Sequence, residues 1–149
     1  WPQELPLGIR LSATDWVDGG WSIDDSVELA ARLKALGCDY ITASSGGTVP
    51  EQKIEVKPNY QVPFAERIRQ DAGIATMAVG LITEPRQAED ILAQGQADLI
   101  AIGRGILYNP RWPGAPRAPG AAPRASPPQY ERSHPSMRRG DFLKARRDA

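Results

Sequence analysis

Four short apolar runs, separated by segments of helical length, constrain the fold of this chain more than any other feature of its sequence. The runs lack a clean alternation of polar and apolar positions, which is typical of strands buried on both faces of a parallel sheet. They are Leu7–Leu11, Tyr40–Ala43, Ala75–Val79 and Leu99–Ile102. The repeated order of strand and helix predicts an α/β fold whose parallel sheet is either open or closed into a barrel.

The three segments between these runs carry signals for the start and the end of a helix. Their predicted starts are residues that cap a helix or fit its first turn, namely Ser22, Pro63 and Thr83. Their predicted ends are glycines, namely Gly37, Gly73 and Gly95. The apolar positions that we expect to be buried are Leu29, Leu33 and Leu36 in the first helix, Phe64 and Ile68 in the second, and Ala88, Ile91 and Leu92 in the third.

The composition excludes several classes of protein. The 149 residues include 18 basic and 18 acidic side chains and 41% hydrophobic residues, which suffices for one domain with a sizeable core. Because the charges balance, we expect no nucleic-acid partner. No apolar run approaches the ~18 residues of a membrane span, and no signal-peptide pattern opens the chain. The single cysteine, Cys38, excludes an internal disulfide. We therefore expect Cys38 to be buried and the protein to be cytoplasmic, with no membrane partner.

The charge and the composition both change near residue 110. Residues 1–110 carry 9 Lys/Arg against 15 Asp/Glu, whereas residues 111–149 carry 9 against 3. Pro, Ala, Gly and Arg dominate the chain directly after Pro110. We therefore predict a folded region over residues 1–113, a Pro/Ala-rich irregular segment over 114–128, and a basic arm over 129–149 that orders only against a partner.

Glycines after the predicted strands indicate where a ligand would bind. They are Gly19-Gly20, Gly46-Gly47, Gly80 and Gly103/Gly105. Carboxyl ends of parallel strands are where α/β proteins bind ligands, although glycines in simple turns are the alternative. Arg10 is either an exposed arginine of an edge strand or a cation directed at an anionic ligand. Gly103-Arg104-Gly105 suits a phosphate, and Ser44-Ser45 is either a polar turn or a further set of donors.

Other kinds of site are excluded by the residues that they would need. The single histidine, His134, lies in the basic arm, which offers no scaffold for a Ser-His-Asp triad. One cysteine and one histidine give no metal-ligand spacing. Tyr108 stands where a dinucleotide-binding fingerprint would have its third glycine, and no Gly-Lys-Ser/Thr sequence occurs.

Four segments together resemble the Old Yellow Enzyme family, the FMN-dependent ene-reductases also called NADH:flavin oxidoreductases. They are GIRLSATDW (8–16), DYITASSGG (39–47), ATMAVGLIT (75–83) and ADLIAIGRGILYNPRWP (97–113). The resemblance is greatest to the bacterial branch with xenobiotic reductases and NADPH dehydrogenases. It implies the C-terminal half, strands five to eight, of a TIM (β/α)8 barrel with an irregular C-terminal arm. It further implies that hydride passes from NADPH to FMN and then to the activated C=C bond of a small enone-type substrate.

The resemblance also implies roles for individual residues. Arg10 would contact the pyrimidine side of the flavin, and Gly103 and Arg104 would hold the FMN phosphate. Gly80, Ser44 and Ser45 would line the same rim. Within Gln129-Tyr130-Glu131-Arg132, Arg132 would reach into the substrate site of a neighbouring subunit, so the full-length enzyme would be a homo-oligomer.

The chain departs from the family in two places. Its N-terminal half, with the substrate-binding histidine pair and the tyrosine proton donor, cannot be mapped onto this sequence, so we expect the 149 residues alone to be inactive. We also expect them to be poorly stable or self-associating, and to bind FMN weakly. The sequence starts at Trp1 without a methionine, so we expect that its beginning is missing. For residues 114–126, where the family has a helix, our hypothesis is a local reading-frame shift.

Two alternative functions are consistent with parts of the sequence. A tRNA-dihydrouridine synthase is another FMN barrel that suits Ile-Gly-Arg-Gly followed by Asn-Pro, residues 102–105 and 109–110. Against it, residues 79–83 read Val-Gly-Leu-Ile-Thr rather than a Gly-Asn-Gly pattern, and a basic RNA-binding domain is absent from the sequence. The second alternative is a non-catalytic, phosphate-binding half-barrel that functions by association.

Overall fold

The computed structural model describes residues 1–110 and 112. Contacts divide the chain into two compact units, Trp1–Ala101 and Ile102–Ala149. The first unit contains, in chain order, β1 (Gly8–Ser12), α1 (Ile23–Ala35), β2 (Tyr40–Ser44), α2 (Val62–Ala72), β3 (Ala75–Ala78), α3 (Pro85–Ala93) and β4 (Leu99–Ile100). The described part of the second unit contains α4 (Arg104–Tyr108).

The four strands form one parallel sheet in the order β1-β2-β3-β4, which confirms the predicted parallel α/β fold. The register pairs Gly8 with Tyr40, Tyr40 with Ala75 and Met77 with Leu99. The strand order follows the chain without a reversal. Since crossovers between parallel strands are right-handed, successive helices of such a sheet lie on the same face. This is the arrangement of a barrel wall, whereas a doubly wound sheet reverses its order and has helices on both faces.

The core of the first unit lies between the sheet and its helices. Ile41 and Ala43 of β2 face the helices together with Ala78 of β3, and all three are fully buried. From the helices, Ile68 and Ile91 are also buried almost completely. Removing an isoleucine side chain from water contributes about 1.5–3 kcal/mol, so these residues fix the helices against the sheet.

The predicted helix signals are confirmed at most positions. Ser22 caps α1 in a reciprocal arrangement: its Oγ accepts the Asp25 N–H at 3.3 Å, and the Asp25 carboxylate accepts the Ser22 N–H at 2.9 Å. Pro63 lies in the first turn of α2. The glycines that follow the three helices have the positive φ angles of helix ends: 92° at Gly37, 62° at Gly73 and 69° at Gly95.

Three predictions for the helices were wrong. The N-cap of α3 is Glu84 and not Thr83, because the Gln87 Oε1 accepts the N–H of Glu84 at 3.3 Å as well as that of Thr83 at 2.8 Å. Leu36 lies just beyond the end of α1 and is 84% exposed, and Leu92 of α3 is 38% exposed. Leu29 and Leu33 of α1 are half-buried, and its fully buried positions are Ser26 and Ala30, which are small enough to let the helix approach the sheet closely.

Burial on both faces is confirmed only for the inner strand β2, in which Ile41, Thr42 and Ala43 are all buried. For the two edge strands of the described sheet the expectation was wrong: Arg10 of β1 is exposed, and Leu99 of β4 is 45% exposed. The other inner strand, β3, is also only partly buried, with Ala75 exposed and Met77 half-buried. The run pattern does not show this difference, because burial of a strand's second face depends on what packs against that face.

Cys38 is buried as a free thiol, as expected. Among the described residues, no helix is long and apolar enough to cross a membrane. The predicted irregular segment 114–128 and the predicted basic arm 129–149, with Arg132, lie outside the described residues.

Candidate functional site

The candidate site lies where the parallel strands end. We use the term rim for the loops that follow β1, β2 and β3, residues 13–22, 45–61 and 79–84. Because β1, β2 and β3 pair in register, the residues at their carboxyl ends lie at one edge of the sheet. In open α/β sheets and in barrels alike, this edge is the place where ligands bind.

Arg10 and Ser44 form the first polar pair at this edge. Arg10 lies opposite Thr42 in the register, and its Nη2 donates to the Oγ of Ser44, the last residue of β2, at 3.0 Å. The guanidinium is therefore directed along the sheet towards its carboxyl edge. None of the ion pairs among the described residues includes Arg10. A guanidinium has five N–H donors and keeps its charge at any physiological pH, so this group offers a fixed cation at the edge.

The second polar group connects the loops after β2 and β3. The Ser45 Oγ donates to the Gln61 Oε1 at 2.8 Å, and the Gln61 Nε2 donates to the Val79 carbonyl oxygen at 3.3 Å. The Gln61 residue is only 3% exposed. Gly80 follows directly with a φ of 115°, and a Cβ at this position would lie 2.5 Å from the Gln61 Nε2. Only glycine fits this conformation and this space.

Our sequence analysis missed Gln61. A polar residue just before Val62-Pro63 is unremarkable at the start of a helix, and glutamine is usually exposed. Only a weak signal in the sequence points to Gln61. It lies at the end of a long loop and directly before a helix, which is one of the few positions from which an amide could reach the ends of two strands. Its burial depends on how the loops fold, which local pattern does not show.

The long loop between β2 and α2 packs upon itself. Gly46 and Gly47 both have positive φ angles, 78° and 87°, and the Gly47 N–H donates to the Gln52 Oε1 at 2.7 Å. The Ile54 side chain lies against Gly46, where a Cβ would overlap it.

In the loop after β1, the Trp16 ring packs edge-on against Phe64 of α2, with 5.5 Å between ring centroids. The Trp16 contact ties the loop after β1 to the helix layer.

Gly103 and Arg104 belong to the second unit, at the start of α4. Gly103 is the N-cap of this helix, and its carbonyl oxygen accepts the N–H groups of Ile106 at 3.1 Å and Leu107 at 3.3 Å. Both Gly103 and Arg104 are exposed. No heavy atom lies within 4 Å of where a Gly103 Cβ would be, so the space beside this backbone is open.

The structure thus brings together Arg10 with Ser44, and Ser45 with Gly80 through Gln61. Hydroxyls, backbone N–H groups and a cation that forms no ion pair with the described carboxylates are the kinds of group that bind anionic ligands at strand ends. They fit flavin mononucleotide, which carries a phosphate and a ring that gains negative charge on reduction. The fold and the site therefore define an α/β protein of the barrel type with a cation, hydroxyls and a buried amide at the carboxyl edge of its sheet.

Comparison with known proteins gives the family. A model of the NADH:flavin oxidoreductase / NADH oxidase family matches residues 2–116, and the chain belongs to this family. This membership confirms the family that the sequence resemblance suggested and implies a TIM barrel, of which the observed parallel sheet is a part.

Curated relatives agree with this assignment. An NADPH dehydrogenase of Geobacillus thermodenitrificans is 48% identical over 127 residues, and one of Geobacillus sp. strain WCH70 is 50% identical over 127 residues. Each match covers 85% of this chain and 37% of the relative. An NADPH dehydrogenase of Listeria innocua is 50% identical over 105 residues, covering 70% of this chain and 31% of the relative. The matches thus span about a third of the length of these relatives. The family and the names point to FMN and NADPH as cofactors.

Proposed function

We propose that this chain is the cofactor-binding C-terminal half, strands five to eight, of an FMN-dependent ene-reductase that uses NADPH to reduce activated C=C bonds in small enone-type molecules. The observation that carries the proposal is the Arg10 guanidinium, which Ser44 holds at the carboxyl edge of the sheet beside a glycine-containing rim. The sequential order of the four parallel strands supports the position in a barrel, because four strands are half of an eight-stranded wall.

The residues of this chain would act mainly by binding and orienting the cofactor. FMN, when bound, supplies the acceptance and donation of hydride. The positive charge of Arg10 favours the reduced, more negative ring electrostatically, and the hydroxyl of Ser44 keeps the guanidinium in a fixed orientation. Gly80 adopts a φ of 115° with the Gln61 amide on its Cβ side, so the backbone after β3 can turn at the rim and present its peptide groups there. For Gly103 and Arg104 we propose that backbone donors and a bidentate guanidinium hold the phosphate.

The rest of the active site would lie outside this chain. The resemblance assigns substrate binding and proton donation to the N-terminal half of the family barrel, so the 149 residues alone would be inactive. For the full-length protein we propose a homo-oligomer in which Arg132 completes the substrate site of a neighbouring subunit. The 37% coverage of the two Geobacillus relatives agrees with a chain that holds only part of the machinery.

Replacement of Arg10 by alanine tests this function. In the protein at its natural length, Arg10→Ala should lower the flavin reduction potential by about 30 mV or more, because the reduced ring loses a stabilising cation. NADPH-dependent reduction of an enone should slow accordingly. Spectroelectrochemical titration and a steady-state assay measure the two effects.

Arg32→Ala is the matched control, since Arg32 is an exposed arginine in the last turn of α1, at the end of that helix farther from the rim. It should leave both the potential and the rate unchanged. An Arg10→Ala variant with the parent's potential and the parent's rate would contradict the role proposed for this site.

A further inference from the structure

We propose that Gln61 is a positioning residue that holds the Gly80 segment of the rim in place for the flavin mononucleotide. This inference rests on the proposed function, because it assumes that the rim binds that cofactor. It concerns a residue that acts through its neighbours and touches no reacting atom.

The burial of Gln61 indicates that its hydrogen bonds matter. A buried amide costs free energy unless both its donor and its acceptor are satisfied. Gln61 is 3% exposed, and its side chain is satisfied at both ends, by Ser45 at 2.8 Å and by Val79 at 3.3 Å. A leucine or methionine would fill the same volume without this cost. We therefore infer that the amide is present for its hydrogen bonds to Ser45 and Val79.

That connection joins two neighbouring strand ends. Ser45 is the first residue after β2, and Val79 is the first residue after β3. Gln61 itself is the N-cap of α2, and its backbone carbonyl accepts the Phe64 N–H at 3.1 Å in the first turn of that helix. The side chain thus links both strand ends to a helix, which is a rigid reference for the two loops.

Gly80 lies directly against this link. Its φ of 115° is open to glycine but rarely adopted by other residues, and the nearest neighbours of a hypothetical Cβ are the Gln61 Nε2 at 2.5 Å and the Tyr60 Cε1 at 3.1 Å. The Gln61 amide therefore occupies the side on which any other residue would carry its side chain. It holds the peptide groups on either side of Gly80 in one orientation, which is what a directional hydrogen bond to a ligand requires.

The variant Gln61→Glu separates positioning from simple packing, because it keeps the shape and changes one contact. A carboxylate still accepts from Ser45 but repels the Val79 carbonyl oxygen, whereas a protonated carboxyl donates to that oxygen as the amide does. The contacts described for the Gln61 side chain are to uncharged groups, a hydroxyl and a backbone carbonyl. Burial raises the pKa of a carboxyl introduced there, so acidification should restore the contact.

The experiment compares the dissociation constant for FMN of the parent and of Gln61→Glu, in the protein at its natural length, by quenching of FMN fluorescence at pH 8 and pH 5.5. The ratio of the variant's constant to the parent's should be about tenfold at pH 8 and fall to about threefold or less at pH 5.5. Taking the ratio removes the effect of the phosphate's own titration. The control Gln94→Glu, at an exposed position beyond α3, should show a ratio near one at both pH values.

A second variant keeps the inference testable if Gln61→Glu does not fold. Gln61→Met preserves the volume without hydrogen bonds, and it should weaken FMN binding at both pH values with no recovery on acidification. Parent-like FMN affinity in a folded variant whose thermal midpoint has fallen would show a merely structural role and overturn the inference. A parent protein that binds no FMN would instead refute the proposed function, and the inference with it.

Discussion

At the scale of single residues, Arg10 shows how much of a side chain's environment the sequence could predict. Its position inside an apolar run left two interpretations open, an exposed arginine of an edge strand or a cation directed at a ligand. The structure confirms the first, since β1 is an edge of the described sheet and Arg10 is exposed. Its guanidinium also reaches Ser44 at the carboxyl end of β2, where we propose that the ligand binds. Gln61 could not be predicted in the same way, because its partners Ser45 and Val79 are 16 and 18 residues away along the chain.

Gly80 gives a prediction at this scale. Gly80→Ala should lower the free energy of unfolding by about 1–3 kcal/mol and weaken FMN binding, because alanine at a φ of 115° is strained and its Cβ would displace the Gln61 amide. Gly37→Ala is the matched control: Gly37 also has a positive φ, 92°, but nothing lies within 4 Å of its Cβ position. Urea unfolding should therefore show a smaller loss for Gly37→Ala, with unchanged FMN affinity. Equal losses of stability in the two variants would contradict the close contact.

At the scale of elements, local chemistry predicted where helices end better than which faces they bury. Glycines at the three helix ends adopt the expected positive φ angles, because this depends on one residue's freedom alone. Leu36 was wrongly expected to be buried, since a stripe of leucines does not reveal that the helix ends at Ala35. The N-cap of α3 is Glu84 and not the predicted Thr83, and the N–H groups of both residues donate to the Gln87 Oε1.

The cap of α1 gives a prediction about pH. The Ser22 hydroxyl and, to a lesser extent, its backbone N–H hold the pKa of Asp25 below its ordinary value. A carboxyl with a lowered folded-state pKa contributes stability above its unfolded-state pKa and loses it as the pH falls through the folded-state value. Ser22→Ala removes the N-cap hydroxyl of α1 and should lower the free energy of unfolding by about 1 kcal/mol at neutral pH. Because it also removes the bond that lowers the pKa of Asp25, the difference from the parent should narrow in acid. Urea titrations of the parent and of Ser22→Ala at neutral and acidic pH measure the difference in the free energy of unfolding. A difference that widens in acid would contradict this account.

At the scale of the whole molecule, the order β1-β2-β3-β4 is the most informative finding, and the sequence left it open between an open sheet and a barrel. Strand order depends on pairing between residues far apart in the chain, such as Ile9 with Ile41, which periodicity does not show. Membership of the family indicates a barrel, which the pattern of apolar runs alone did not. The family model matches residues 2–116. The rim then follows from geometry, since all parallel strands present their carboxyl ends at one edge.

The central proposal is that the Gly-Arg pair at the start of α4, Gly103 and Arg104, holds the phosphate of flavin mononucleotide. Its most direct test is a titration of FMN into the FMN-free protein at its natural length and into its Arg104→Ala variant, with Arg32→Ala in the last turn of α1 as the control. The parent and Arg32→Ala should bind FMN with the same dissociation constant, and Arg104→Ala should bind it at least about tenfold more weakly, since the phosphate loses a bidentate cation. An Arg104→Ala protein with the parent's dissociation constant for FMN would contradict the account.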